Sequence, residues 1–184
     1  MPMRMQMLPL GVPFQYIKPL RARTLRLNCV TNRYAELWQE VWDASYKQEQ
    51  WSIKDKRLAS WNTLTEEWNH NTPLRNYFER RMALVEIDVL AAMALSLTLD
   101  ELIMMYEIQF PVLQQNENDT WYDRNGRIVF TCSKGLIGVG VDRPTWNRIR
   151  EMHPGETYTH TRTSELYAGQ AITYEAPFTC CDRI

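Results

Sequence analysis

The sequence predicts an α+β fold: a helical core of about three main helices, then a β-hairpin and short strands, with an extended N-terminal arm in front. Three observations carry this. Residues 1–28 hold four prolines and no helical period; apolar residues then recur at helical spacing; and beyond Pro111 short β-favouring runs flank turn residues. The predicted organisation is an extended basic arm over 1–28 and a single α+β domain over 29–184, helical over 31–108 and β-rich over 119–178. With 184 residues, 45% of them hydrophobic, and seven tryptophans, the chain can build a core.

In the arm, Pro2, Pro9, Pro13 and Pro19 argue against a helix. From Thr31 the pattern changes: Tyr34, Leu37, Trp38, Val41, Trp42 and Tyr46 form one aromatic helical stripe, with Thr31 or Asn32 as N-cap. Residues 49–71 place Trp51, Trp61 and Trp68 among polar residues without a sustained period, which predicts an irregular connection pinned by tryptophans. Thr72-Pro73 supplies an N-cap and a proline at the first helical position, so a helix is expected from there to about Leu95, with a stripe of Leu74, Tyr77, Phe78, Met82, Val85, Val89 and Ala92. Thr98 and Glu101 form a capping box that opens a further helix, which must stop before Pro111. Trp38, Trp42, Tyr77, Phe78, Val85 and Phe110 are the expected core.

After Pro111 the character turns to β. The runs 120–123 and 127–130 flank Arg124-Asn125-Gly126. A two-residue Asn-Gly loop would set Arg124 opposite Arg127, whereas a three-residue loop with Gly126 in the left-handed region sets Asp123 opposite Arg127. The second is expected, because opposite charges face each other. Residues 133–140 read as a glycine loop, Pro144–Met152 as a short helix, and 157–163 with 171–174 as a final pair of strands. The chain stops at residues 181–184 without a terminal cap, which reads as a cut end.

The net charge of −1 conceals an asymmetry. Residues 1–35 carry Arg4, Lys18, Arg21, Arg23, Arg26 and Arg33 and no acid, hence +6, which leaves −7 for the remainder. An electrostatic grip on phosphate therefore belongs to the arm, while whole-chain basicity is absent. Cys29, Cys132, Cys180 and Cys181 form no C-x-x-C pair and are expected to stay reduced in the cytoplasm. The longest apolar run, around Val89–Leu97, is too short to span a bilayer.

Several blocks in order resemble one family. They are Thr24–Asn28, Arg80–Leu90, Leu97–Leu102, Gln109–Leu113, the specific stretch Thr120–Thr131 (TWYDRNGRIVFT), Lys134–Gly140, and Tyr174–Phe178 with Cys181-Asp182-Arg183. The series resembles the C-terminal region of large adenine-type DNA methyltransferases of bacterial restriction-modification and phage-defence systems, of the BREX and DISARM kind, and covers the chain from about Arg21. In the family the chain continues past this aspartate and arginine, in keeping with a truncated end here. The resemblance implies a setting of S-adenosylmethionine-dependent DNA modification, with DNA and a methyltransferase catalytic domain or defence-system proteins as partners.

It does not transfer the catalysis. Methyl transfer to adenine needs a glycine-rich cofactor turn and an Asn/Asp-Pro-Pro-aromatic clamp on the flipped base. The chain has no Pro-Pro dipeptide, and Gly135, Gly138 and Gly140 stand in the wrong order for a G-x-G-x-x-G turn. No cofactor is expected in this chain; S-adenosylmethionine belongs to the associated catalytic region, and the isolated chain should neither bind it nor transfer a methyl group. Glu86 and Asp88 point apart on a helix, and His70, His153 and His160 lack paired ligands, so no catalytic or metal set is expected.

The candidate DNA contacts are Lys18, Arg21, Arg23 and Arg26 in the arm, Arg124 and Arg127 at the hairpin, and Lys134 beside the glycine loop. The arm serves phosphate contact or protein docking equally well. Arg124 carries a forked donor that matches a guanine edge, while Asn125 and Gly126 are what the turn itself needs. The expected function is a non-catalytic DNA-recognition or positioning region of such a system; the alternative is a protein-docking scaffold of the same system that touches no DNA. Because neither basic set lies on an apolar stripe, replacing it should leave the fold intact.

Overall fold

The computed structural model describes residues 11–132, 140–161 and 169–181. Its architecture is α+β, as predicted: six α-helices and two small antiparallel sheets among the described residues.

The second half of the expected arm is helical. α1 spans Phe14–Asn28, starts directly after Pro13 and accommodates Pro19 early in its length. Ala22, Leu25 and Cys29 recur at i, i+3 and i+7 and are buried, and Arg23 and Arg26 lie buried beside them. The prolines pointed to an extended chain, but Pro13 only precedes the helix, and the apolar stripe was masked by two arginines that the fold takes inside.

The single stripe expected from Thr31 to Tyr46 is broken into three pieces. A 3-10 turn at Asn32–Tyr34 leads into α2, Ala35–Val41; Trp42 is extended; and Asp43 caps a second 3-10 turn, Ala44–Gln48, by accepting from the Ser45 amide at 2.9 Å. A side chain that caps a new turn competes with helix continuation at that point. The aromatic cluster survives the break, with Trp38, Trp42 and Tyr46 ring centroids 5.5 to 6.3 Å apart.

Residues 49–71 are irregular and pinned by tryptophans, as predicted. Trp51 Nε1 donates to the Ala59 carbonyl at 2.8 Å, Trp68 Nε1 donates to the Cys29 carbonyl at 2.8 Å, and Trp61 is buried under α1. Trp51 packs against three of the four core clusters, so it ties the irregular segment to both long helices.

α3 runs Tyr77–Ala94 and begins at Asn76 rather than at Thr72-Pro73. Asn76 accepts from the Glu79 amide at 2.7 Å and Glu79 accepts from the Asn76 amide at 2.9 Å, a reciprocal capping box. Thr72 is buried instead, and its hydroxyl accepts from the Asn69 amide. α1 packs against α3 through Leu27, Leu74 and Ala83, while Phe78 and Met82 of α3 meet Tyr122 and Cys181. α3 is thus shared between the helical and the β parts.

Ser96, in the left-handed region, ends α3, and the Thr98–Glu101 capping box opens α4, Leu99–Gln109, as predicted. Pro111 does not start the β region. It occupies the first position of a further helix, α5, Pro111–Asn118, where its missing N–H costs no hydrogen bond.

The hairpin has the predicted register. β1 (Trp121–Tyr122) and β2 (Ile128–Phe130) are antiparallel; the Asp123 amide donates to the Arg127 carbonyl at 2.9 Å; and Gly126 sits at φ 77°. The stabilising contact differs from the charge pair expected. The buried Asp123 carboxylate accepts from the backbone amides of Asn125 and Arg127 at 2.9 and 2.8 Å, and burial pushes its pKa up. α6 (Arg143–Ile149) is capped by Asp142 and packs Trp146 on Phe130, with rings stacked at 5.5 Å. β3 (Thr157–Thr161) pairs with β4 (Ala171–Glu175) in a two-stranded ladder, and β5 (Thr179–Cys180) joins β1 to complete the order β2-β1-β5.

Of the six expected core residues, Trp38 and Phe78 are buried, and Trp42 and Val85 are half-buried. Tyr77 and Phe110 are exposed.

Candidate functional site

Of the seven cations singled out from the sequence, the six that fall among the described residues do not share one surface. Lys18 on α1 pairs with Asp43 at 2.6 Å, and Arg21 lies on the exposed side of α1 beside Tyr46. Arg23 is buried: its guanidinium bridges Glu49 and Glu86, each at 2.7 Å, and donates to the Gln50 carbonyl at 2.9 Å. Arg26 is buried too, donating to the Thr72 carbonyl at 3.0 Å and lying 4.6 Å over the Trp61 ring. Burial pushes its guanidinium down to about 10. Arg23 and Arg26 are therefore corrected from DNA contacts to core residues, since reaching a phosphate would mean pulling each out of its buried partners. Their burial also removes the ground for expecting a neutral replacement, since truncating either one would strand buried partners.

At the hairpin, Arg124 pairs with Glu175 at 2.7 Å while its side chain stays 57% exposed. Arg127, just before β2, donates to the Thr173 carbonyl at 3.0 Å, which ties the hairpin turn to β4. Lys134 and most of the glycine loop lie outside the described residues.

Arg124 and Asn125 line an open cleft of about 460 Å³ together with the segment Lys54–Arg57, Pro177 and Thr179. The Lys54–Arg57 contribution was missed. Its signal is the run Lys54-Asp55-Lys56-Arg57, which was read only as part of a pinned connection. The segment is rigidly set. Arg57 holds Asp55 through two bonds of 3.0 and 2.7 Å, lies 3.5 Å over the Phe78 ring, and accepts from the Asn76 amide group through its carbonyl at 2.7 Å. The Arg57 guanidinium holds the Asp55 carboxyl below its usual range. Arg57 and Asp55 thus neutralise each other, and the exposed Lys54 and Lys56 remain beside Arg124. Such a cleft can hold an anion, with two point charges and a planar fork.

A second polar cluster joins α3, α5 and the last strand. Arg81 pairs with Glu117, donates to Cys181 Sγ at 3.4 Å, and Tyr106 donates its hydroxyl to Glu117. Burial and the Glu117 carboxylate push Tyr106 up to about 12. The cluster ties α3, α4 and α5 to Cys181, the residue that follows β5. Among the described residues, no group of three His, Cys, Asp or Glu converges as a metal site would require, and no helix is long and apolar enough to cross a membrane. Comparison with known protein families, curated proteins and solved structures produced no match to this chain.

Proposed function

We propose that the chain is a non-catalytic DNA-recognition or positioning region of a cytoplasmic, S-adenosylmethionine-dependent DNA modification system of the restriction-modification or phage-defence kind, working with a separate catalytic region. Its DNA contact is the cleft at the hairpin tip rather than the N-terminal arm. The observation that carries this reading is the convergence of Lys54, Lys56 and Arg124 on one cleft, with Asn125 beside them. Lysines there meet phosphate, and Arg124 can exchange Glu175 for a phosphate or a guanine edge.

The test is fluorescence anisotropy with labelled duplex DNA at several salt concentrations. Two or three phosphate contacts give a log–log salt slope of roughly −2 to −3. Replacing Lys54 and Lys56 by Ala is expected to weaken binding equally on all sequences and flatten the slope by roughly 2. Arg124→Ala is expected to cost about 1–3 kcal/mol on a preferred site and little elsewhere. Absence of binding by the unaltered chain at low salt refutes the reading. The second reading, a docking scaffold of the same system without DNA contact, is favoured by the exposed apolar helices α4 and α5.

A further inference from the structure

An apolar helix in a folded chain is normally covered, and α4 is not. No residue of α4 or α5 is buried. Leu99, Ile103, Met104 and Ile108 of α4 are 44–68% exposed, and Phe110 and Val112 on the way into α5 are 51% and 68% exposed. On a helical wheel these α4 positions span about half the circumference, a broad apolar face rather than a narrow seam. The outer part of α3 continues the surface through Met93 and Leu95. Twelve large apolar residues between Leu84 and Leu113 stand at 39–68% exposure. At about half of a large side chain each, they expose on the order of 1,000 Å² summed over the three helices, comparable with the ~800 Å² per partner of a stable interface.

The charge around this surface selects what can cover it. No Lys, Arg or His occurs between Arg81 and Arg124. Asp88, Asp100, Glu101 and Glu107 are exposed on the same helices. A second copy would bring the same acids against them, and an anionic bilayer would be repelled for the same reason, since surface-lying helices need cations on their polar face. Met93, Met104 and Met105 give a surface that adapts to its partner's side chains, as in helix-in-groove recognition.

We propose that the α3–α4–α5 surface docks an amphipathic helix of a different protein whose apolar stripe is flanked by Lys and Arg. This rests on other residues than the DNA cleft and stands whether or not the cleft binds DNA.

The experiment uses the whole chain and two synthetic helical peptides with the same Leu stripe, one flanked by Lys and one by Glu, followed by anisotropy. The Lys peptide is expected to bind at least about tenfold more tightly than the Glu peptide. Replacing Ile103 and Ile108 by Asn, which leaves the charge unchanged, is expected to abolish that binding. The Asp100→Lys/Glu107→Lys variant is expected to reverse the preference between peptides. All these positions are exposed, and circular dichroism checks that each variant is folded. Equal binding of both peptides overturns the proposal, as does Lys-peptide binding unaffected by the Asn substitutions, which would be charge attraction alone. Sedimentation showing a dimer that the Asn substitutions dissolve would assign the surface to a second copy. Pelleting with phosphatidylserine vesicles would assign it to a membrane. Either result also overturns the proposal.

Discussion

Arg23 is a cation in the first third of the chain whose partners lie 26 and 63 residues further on. No local pattern reports such partners, which is why Arg23 and Arg26 read as solvated charges and Trp61 as a mere pin. Arg23→Ala would strand the carboxylates of Glu49 and Glu86 where water hardly reaches, and is expected to cost about 3–5 kcal/mol, read as a lower urea midpoint at unchanged slope. Arg21→Ala, on the exposed side of the same helix, is expected to change the midpoint little. Asp43 illustrates the opposite case, a half-buried residue whose partners are mostly local. The Lys18 ammonium and the Ser45 donors hold its carboxyl well below the usual carboxylate range. A carboxyl depressed in the folded state binds fewer protons there than in the unfolded chain, so its contribution is present above the ordinary Asp value near 3.8 and is lost as pH falls through its folded value. Asp43→Asn is therefore expected to lower stability in the neutral region and leave the acid end nearly unchanged, which flattens the acid limb of a stability–pH profile.

Elements were legible where their signals are short-range. The Thr98–Glu101 capping box, the three-residue turn at Gly126 and the pairing of β3 with β4 each depend on residues within a few positions, or on a regular alternation. Where a second local signal was present, sequence reading saw only one. Thr72-Pro73 was taken as the start of α3, which Asn76 and Glu79 cap instead, and Pro111 was rightly read as the stop of α4 but not as the residue that opens α5. The cleft was half legible: Arg124 was identified at a turn, but the Lys54–Arg57 segment is brought there only by Arg57 lying on Phe78 and by Asn76 holding the Arg57 carbonyl. The Gly126 turn rests on that same cap. A Cβ on Gly126 would stand 2.7 Å from Asn76 Oδ1, at a φ of 77°. Gly126→Ala is expected to cost roughly 1–3 kcal/mol and to lower the melting temperature. α4 gives the contrasting expectation. Since it buries nothing, its amides are expected to exchange with deuterium well before those of α1 and the first turns of α3, and the cationic peptide should slow them.

For the whole molecule, the contrast in charge between chain segments survives, but its meaning changes. The first thirty-five residues do carry the excess cations, yet the fold spends two of them on its interior and pairs a third with Asp43. The cations of the remainder are not spread evenly, because the stretch from 82 to 123 holds eight Asp and Glu without a single Lys, Arg or His. That has a consequence for anyone handling the protein. Trypsin, which cuts after Lys and Arg, has nothing to cleave between Arg81 and Arg124, so the outer part of α3, all of α4 and all of α5 leave a complete digest as one peptide, residues 82–124. Reagents that acylate lysine will leave that peptide unmarked however exposed it is. A footprint of the surface has to come from carboxylate coupling at Asp100 or Glu107, or from oxidation of Met104 and Met105, whose thioethers stand in solvent until something covers them.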